Sequence, residues 1–65
     1  MTARQIFDAA ERAERTGDYH TAAKAYRIAA ARYRQQGECC EAKCCEACAD
    51  EISTYWHQLR LEHPL

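Results

Sequence analysis

Apolar residues recur through the middle of the chain at Tyr19, Ala22, Ala23, Tyr26, Ala29, Ala30 and Tyr33. Steps of three and four residues are the signature of one buried helical face. Gly17 and Asp18 stand directly before this run. Glycine closes a preceding helix in the left-handed conformation, and an aspartate caps the helix that follows. The pattern predicts a helix over about 19–36 that stops at Gly37. Upstream, Ala3, Ile6, Phe7, Ala10 and Ala13 form a second stripe and predict a helix over about 3–16. Thr2 and Gln5 have the spacing of a capping box, and Glu11 and Arg15 that of a favourable i, i+4 ion pair. Downstream, Cys44, Cys45, Cys48, Ile52, Tyr55, Trp56 and Leu59 predict the buried face of a third helix over about 38–60. Glu41 projects onto that same side and breaks the pattern. The tail from Glu62 to Leu65 is expected to fray.

Short turns between helices make sequential helices antiparallel neighbours. The expected fold is therefore all-α, a three-helix antiparallel bundle forming one domain over residues 1–65. No second copy of the hairpin is visible. A chain of 65 residues buries a small core. Regular helix packing, a bound metal or a second subunit commonly supplements such a core, so a homodimer is one open expectation. The composition favours regular helices: glycine occurs twice, and the single proline is Pro64.

Charge divides the chain. The net charge is −1, yet the first helix is balanced, residues 18–37 carry +3 and residues 38–65 carry −4. Antiparallel packing of a basic second helix on an acidic third would pair some of these charges. Alternatively, one charged face would steer a partner. No basic–apolar–small leader follows Met1, and no apolar run approaches the roughly 20 residues of a membrane span. Five cysteines, odd in number and crowded between 39 and 48, do not resemble a secreted disulfide framework. The expected location is the reducing cytoplasm, with no membrane partner.

Gly17, Tyr19, Ala22, Tyr26 and Ala29 resemble the turn and second helix of a tetratricopeptide repeat. The three-helix microtubule-interacting-and-trafficking domain is similar at the same residues. Glu14, Gly17, Tyr19, Ala22, Ala23, Tyr26, Lys43 and Cys48 resemble the pattern of the short bacterial AraC negative regulators. Tyr26 stands where that family usually has Trp, and cysteine replaces the Trp expected early in the third helix. The resemblance implies a protein that binds and inhibits a transcription factor.

The cysteines are the most unusual chemistry. On a helix, Cys40, Cys44 and Cys48 stack on successive turns about 6 Å apart, with Cys45 beside them. Three roles are open to them. Cys44, Cys45 and Cys48 would serve as small buried hydrophobes. Cys40, Cys44, Cys45 and Cys48 would bind zinc or copper(I), although one straight helix cannot close a tetrahedral cage. Cys45 and Cys48 have the Cys-x-x-Cys spacing of redox sites, outside the usual strand-to-helix setting. His20, His57 and His63 are the other candidate ligands, and no cofactor is required by the pattern. Nothing in the spacing unites a cysteine with a histidine base, so an enzyme is not expected.

The line Lys24, Arg27 and Arg34, with His20, forms a basic face. It is too sparse for more than weak, salt-sensitive phosphate binding, and direct nucleic-acid binding is disfavoured. Trp56 and His57 read as a core rim or an exposed contact patch. Glu38, Glu41, Glu46, Asp50 and Glu51 read as an acidic surface for a larger bacterial protein that handles nucleic acid. Phage anti-CRISPR inhibitors are similar in size, helicity and acidic patterning. The expected function is a small non-catalytic inhibitor or regulator acting through protein contacts.

Overall fold

A computed structural model describes the backbone of residues 1–62 and the side chains of residues 1–61. The tail expected to fray lies beyond this at His63, Pro64 and Leu65. The described chain folds as three helices: α1 (Ala3–Arg15), α2 (Tyr19–Gln35) and α3 (Cys39–Glu62). The fold is the expected all-α three-helix bundle, and the helix ends fall within two residues of those predicted.

Local sequence sets each boundary. The Thr2 hydroxyl accepts from the Gln5 N–H at 3.1 Å, and the Thr2 N–H donates to Gln5 Oε1 at 2.9 Å, closing the capping box. Two equivalent turns then reverse the chain. In the first, the Gly17 N–H donates to the Glu14 carbonyl at 3.1 Å and the Asp18 N–H to the Ala13 carbonyl at 2.9 Å. In the second, the Gly37 N–H donates to Arg34 at 3.0 Å and the Glu38 N–H to Tyr33 at 2.9 Å. Both are Schellman motifs, which satisfy carbonyls left open at a helix end. Gly17 and Gly37 take φ of +84° and +78°. A Cβ at either position would meet nothing within 4 Å, so the turn conformation alone demands glycine. An acidic residue follows each glycine, and the Asp18 carboxylate accepts from the Thr21 N–H at 3.4 Å.

The central element is α2, which packs against both α1 and α3; α1 and α3 scarcely meet. The result is a flat slab of 42 × 18 × 12 Å. The stripes expected on α1 and α2 face inward, with Ala3, Ile6, Ala10, Ala22, Ala23, Tyr26, Ala29 and Ala30 buried. Phe7 and Tyr26 fill the space around these small residues, edge to face with ring centroids 5.5 Å apart. Alanine on alanine brings two helices close together, at the cost of a thin core. The largest side chain buried to below 2% exposure is Cys45.

On α3 the buried face differs from the expected one. Ala42, Cys45, Ala49 and Ile52 form it, and Cys48 packs partly buried against it. Cys44 is exposed, as are Tyr55 at 49% and Trp56 at 37%. There are two physical reasons. Ala42 and Ala49 fit the tight contact with α2, which turns Cys44 outward. In addition, α3 runs past its partner: Tyr55 lies against Tyr19, the first residue of α2, and Trp56 meets only the edge of α2 at His20, so both rings stay partly exposed at the end of the contact. The same register turns Glu41 to the exposed flank, removing the defect seen in the sequence. No helix of the described chain is long and apolar enough to cross a membrane.

Candidate interaction site

Because α1 and α3 flank α2 without closing on each other, a groove runs between them. At one end it forms a recess of about 550 Å³ whose lining includes Glu11, Glu14, Tyr19, Glu51 and Tyr55. At the other end a smaller recess of about 200 Å³ is lined by Arg4, Phe7, Tyr33 and Glu41 with Cys40, Cys44 and Cys45. Tyr26 is buried between Tyr19 and Tyr33 on α2, and its hydroxyl donates to Glu14 Oε1 at 3.0 Å.

Three carboxylates face the larger recess: Glu11 and Glu14 from α1, Glu51 from α3. Among the described residues the ion pairs are Arg4–Asp8 at 3.4 Å and Arg34–Glu46. The Glu11–Arg15 pair expected from spacing is therefore not formed, although Arg15 borders the recess. The groove's negative field is felt by its neutral groups. Burial raises the Cys48 thiol above its ordinary value, and the charges of Glu14, Glu51 and Glu11 raise it further. Burial likewise raises the Tyr26 phenol, followed by its hydrogen bond to Glu14 and that residue's charge.

The five acidic residues predicted as one surface are divided between the flanks of α3. Glu46 meets Arg34 on α2, and Asp50 lines a separate recess between α2 and α3 beside them, with Arg27. Glu41 and Glu51 face the groove toward α1, and Glu38 is exposed at the start of α3. Glu11 and Glu14 escaped the sequence reading because α1 is neutral overall. Their i, i+3 spacing beside the Phe7–Ala10 stripe is the signal that would have found them.

The basic face is also divided. Arg34 is paired with Glu46, as expected for antiparallel helices of opposite charge. Arg27 donates to Ser53 Oγ at 3.2 Å, and Arg32 to the Met1 carbonyl at 3.2 Å. Lys24 lines a cleft between α2 and α3 together with His20, Trp56 and His57.

All five cysteines are free thiols. Cys39, Cys40 and Cys44 are exposed, Cys48 is half-buried and Cys45 is buried. Among the described residues no group of three or more His, Cys, Asp or Glu side chains is placed to hold a metal. Cys40, Cys44 and Cys45 border the small recess, whereas Cys48 packs half-buried against the core. Burial raises the Cys45 thiol above its ordinary value, and Cys48 and Cys44 raise it further. Neither His20 nor His57 shares a recess with a cysteine.

Fold and surface together define an all-α three-helix protein with one acidic, tyrosine-floored groove and one cationic cleft. No family description, curated protein or solved structure matches the chain in comparison.

Proposed function

We propose that this protein is a non-catalytic interaction module that binds and inhibits, or regulates, a larger bacterial protein at a basic, nucleic-acid-handling surface. The groove between α1 and α3 is the contact. One observation carries the reading: Glu11, Glu14 and Glu51 converge from two helices on one recess, and among the described residues none of them is in an ion pair. A basic segment entering the recess would meet carboxylates on both walls and tyrosine rings between them. Aromatic surface supplies contact area at low entropic cost, and charge complementarity supplies steering and register. Inhibitors that occlude a DNA-binding surface, whether phage anti-CRISPR proteins or AraC negative regulators, would act through a face of this kind. The cytoplasm is the compartment that brings the module to such partners.

The test is co-purification on the tagged chain in the native host, with a parallel Glu11→Lys/Glu51→Lys form. A basic, nucleic-acid-handling protein is expected on the wild type and should be lost from the double variant. Retention of that protein by both forms, or capture of no basic protein by the wild type, would overturn the proposal.

A further inference from the structure

The opposite flank of α3 carries a different surface. Antiparallel packing sets His20, Lys24 and Arg27 along α2 against Ser53, Trp56 and His57 along α3. Positions 20, 24 and 27 share one edge of α2, and 53, 56 and 57 share one edge of α3. The cleft between them holds about 740 Å³, within the range used by small-molecule sites. No Asp or Glu among the described residues lines it, although α3 is acidic elsewhere. Arg27 commits a guanidinium N–H to Ser53 Oγ and keeps further donors free. Among the described residues neither Lys24 nor Arg27 is in an ion pair.

The aromatic component is Trp56. Its ring is capped by the Arg60 guanidinium at 4.8 Å, and the residue remains 37% exposed. The His20 ring stands 6.4 Å away, tilted by 46°, so the two rings do not stack on one another. Exposed indole surface is thus held beside two cationic side chains and a hydroxyl. This combination matches a planar base joined to a phosphate ester: the base on the indole, the phosphate on Lys24 and Arg27.

We propose that the α2–α3 cleft binds a nucleoside phosphate, with Trp56 stacking the base and Lys24 and Arg27 holding the phosphate. The same chemistry is offered by a free mononucleotide and by a terminal nucleotide of a single strand. The site borders the acidic groove at Tyr19 but uses none of its carboxylates, so either reading can fail alone.

Trp56 is the only tryptophan in the chain, so its indole N–H gives a single, assignable NMR signal. The full chain is titrated at low salt with AMP, ATP, a short single-stranded oligonucleotide and inorganic phosphate. The indole signal is expected to shift saturably with AMP or ATP if the source is a free nucleotide. It shifts with the oligonucleotide alone if the source is a strand. Lys24→Gln and Arg27→Gln each weaken binding about tenfold. Arg12→Gln, which removes an exposed cation from α1, leaves it unchanged, and far-UV circular dichroism of each variant checks the fold. No shift with any nucleotide or oligonucleotide would overturn the proposal. So would inorganic phosphate binding as tightly as the nucleotides, because Trp56 would then contribute nothing.

Discussion

Replacing Tyr26 by Phe removes one oxygen from the centre of the molecule and leaves the packing against Phe7 intact. The lost interaction is the 3.0 Å hydrogen bond from the hydroxyl to Glu14. Hydrogen bonds to charged groups contribute about 1.5–3 kcal/mol, and neutral ones about 0.5–1.5 kcal/mol. Glu14 is exposed, so water replaces the phenol as its partner when the hydroxyl is deleted. The lower range therefore applies, and Y26F should lose about 1 kcal/mol near neutral pH. For a domain of this size that lowers Tm by about 4–8 °C. The pH dependence gives a sharper test. The folded-state pKa of Tyr26 is raised above its ordinary value of 10.0, first by burial and then by Glu14. A raised pKa means that the folded chain holds its proton where the unfolded chain releases it. The resulting stability is fully present below pH 10.0 and is lost as the pH rises above that value. The Y26F variant has no phenolic proton to lose at this position, so the gap between it and the wild type should narrow above pH 10.0. Alkaline ionisation of Cys45, Cys48 and Tyr33, all raised by burial, lowers stability in both proteins and enters the difference only through the Cys48 charge, which raises Tyr26 further. Thermal melts followed by far-UV circular dichroism, from neutral pH into the alkaline range under reducing conditions, read this directly. A gap that stays constant across the range would refute the account of Tyr26 as a buried phenol tied to Glu14.

Gly17→Ala and Gly37→Ala should each lose about 1–2 kcal/mol in denaturant titrations, because each forces an L-residue into a left-handed conformation without any steric clash. Ala49→Leu overpacks the fully buried α2–α3 contact and should lose about 1–3 kcal/mol, whereas Ala47→Leu, on the exposed side, stays within about 0.5 kcal/mol. Thiol labelling followed by mass should show Cys39, Cys40 and Cys44 reacting first, Cys48 more slowly and Cys45 only when the chain opens.

The turns and the first two helices were legible in the sequence because their signals are local. A glycine followed by an acidic residue specifies the turn, and the Tyr19–Tyr33 stripe has a single partner surface on each side. The face of α3 was not legible, because cysteines and aromatics carry larger side chains than alanine and so mark the expected buried stripe. The close α2–α3 contact reverses that order, burying Ala42 and Ala49 while Trp56 stands beyond the main contact. The acidic recess was hidden for another reason. Its carboxylates come from two helices that are not neighbours in sequence, and three arginines balance α1. A tally of charge by helix assigned the acidity to α3 alone. Packing instead gives Glu46 to Arg34 and unites Glu51 with Glu11 and Glu14.

The functional proposal stands on the groove between α1 and α3 receiving a basic partner. The affinity of the co-purified partner, measured by calorimetry at two salt concentrations, decides it. Glu11→Lys and Glu51→Lys should each weaken binding at least about tenfold, or about 1.4 kcal/mol, with Glu38→Lys nearly silent and wild-type affinity falling as salt rises. Equal affinities for wild type and both groove variants, unchanged by salt, would contradict it.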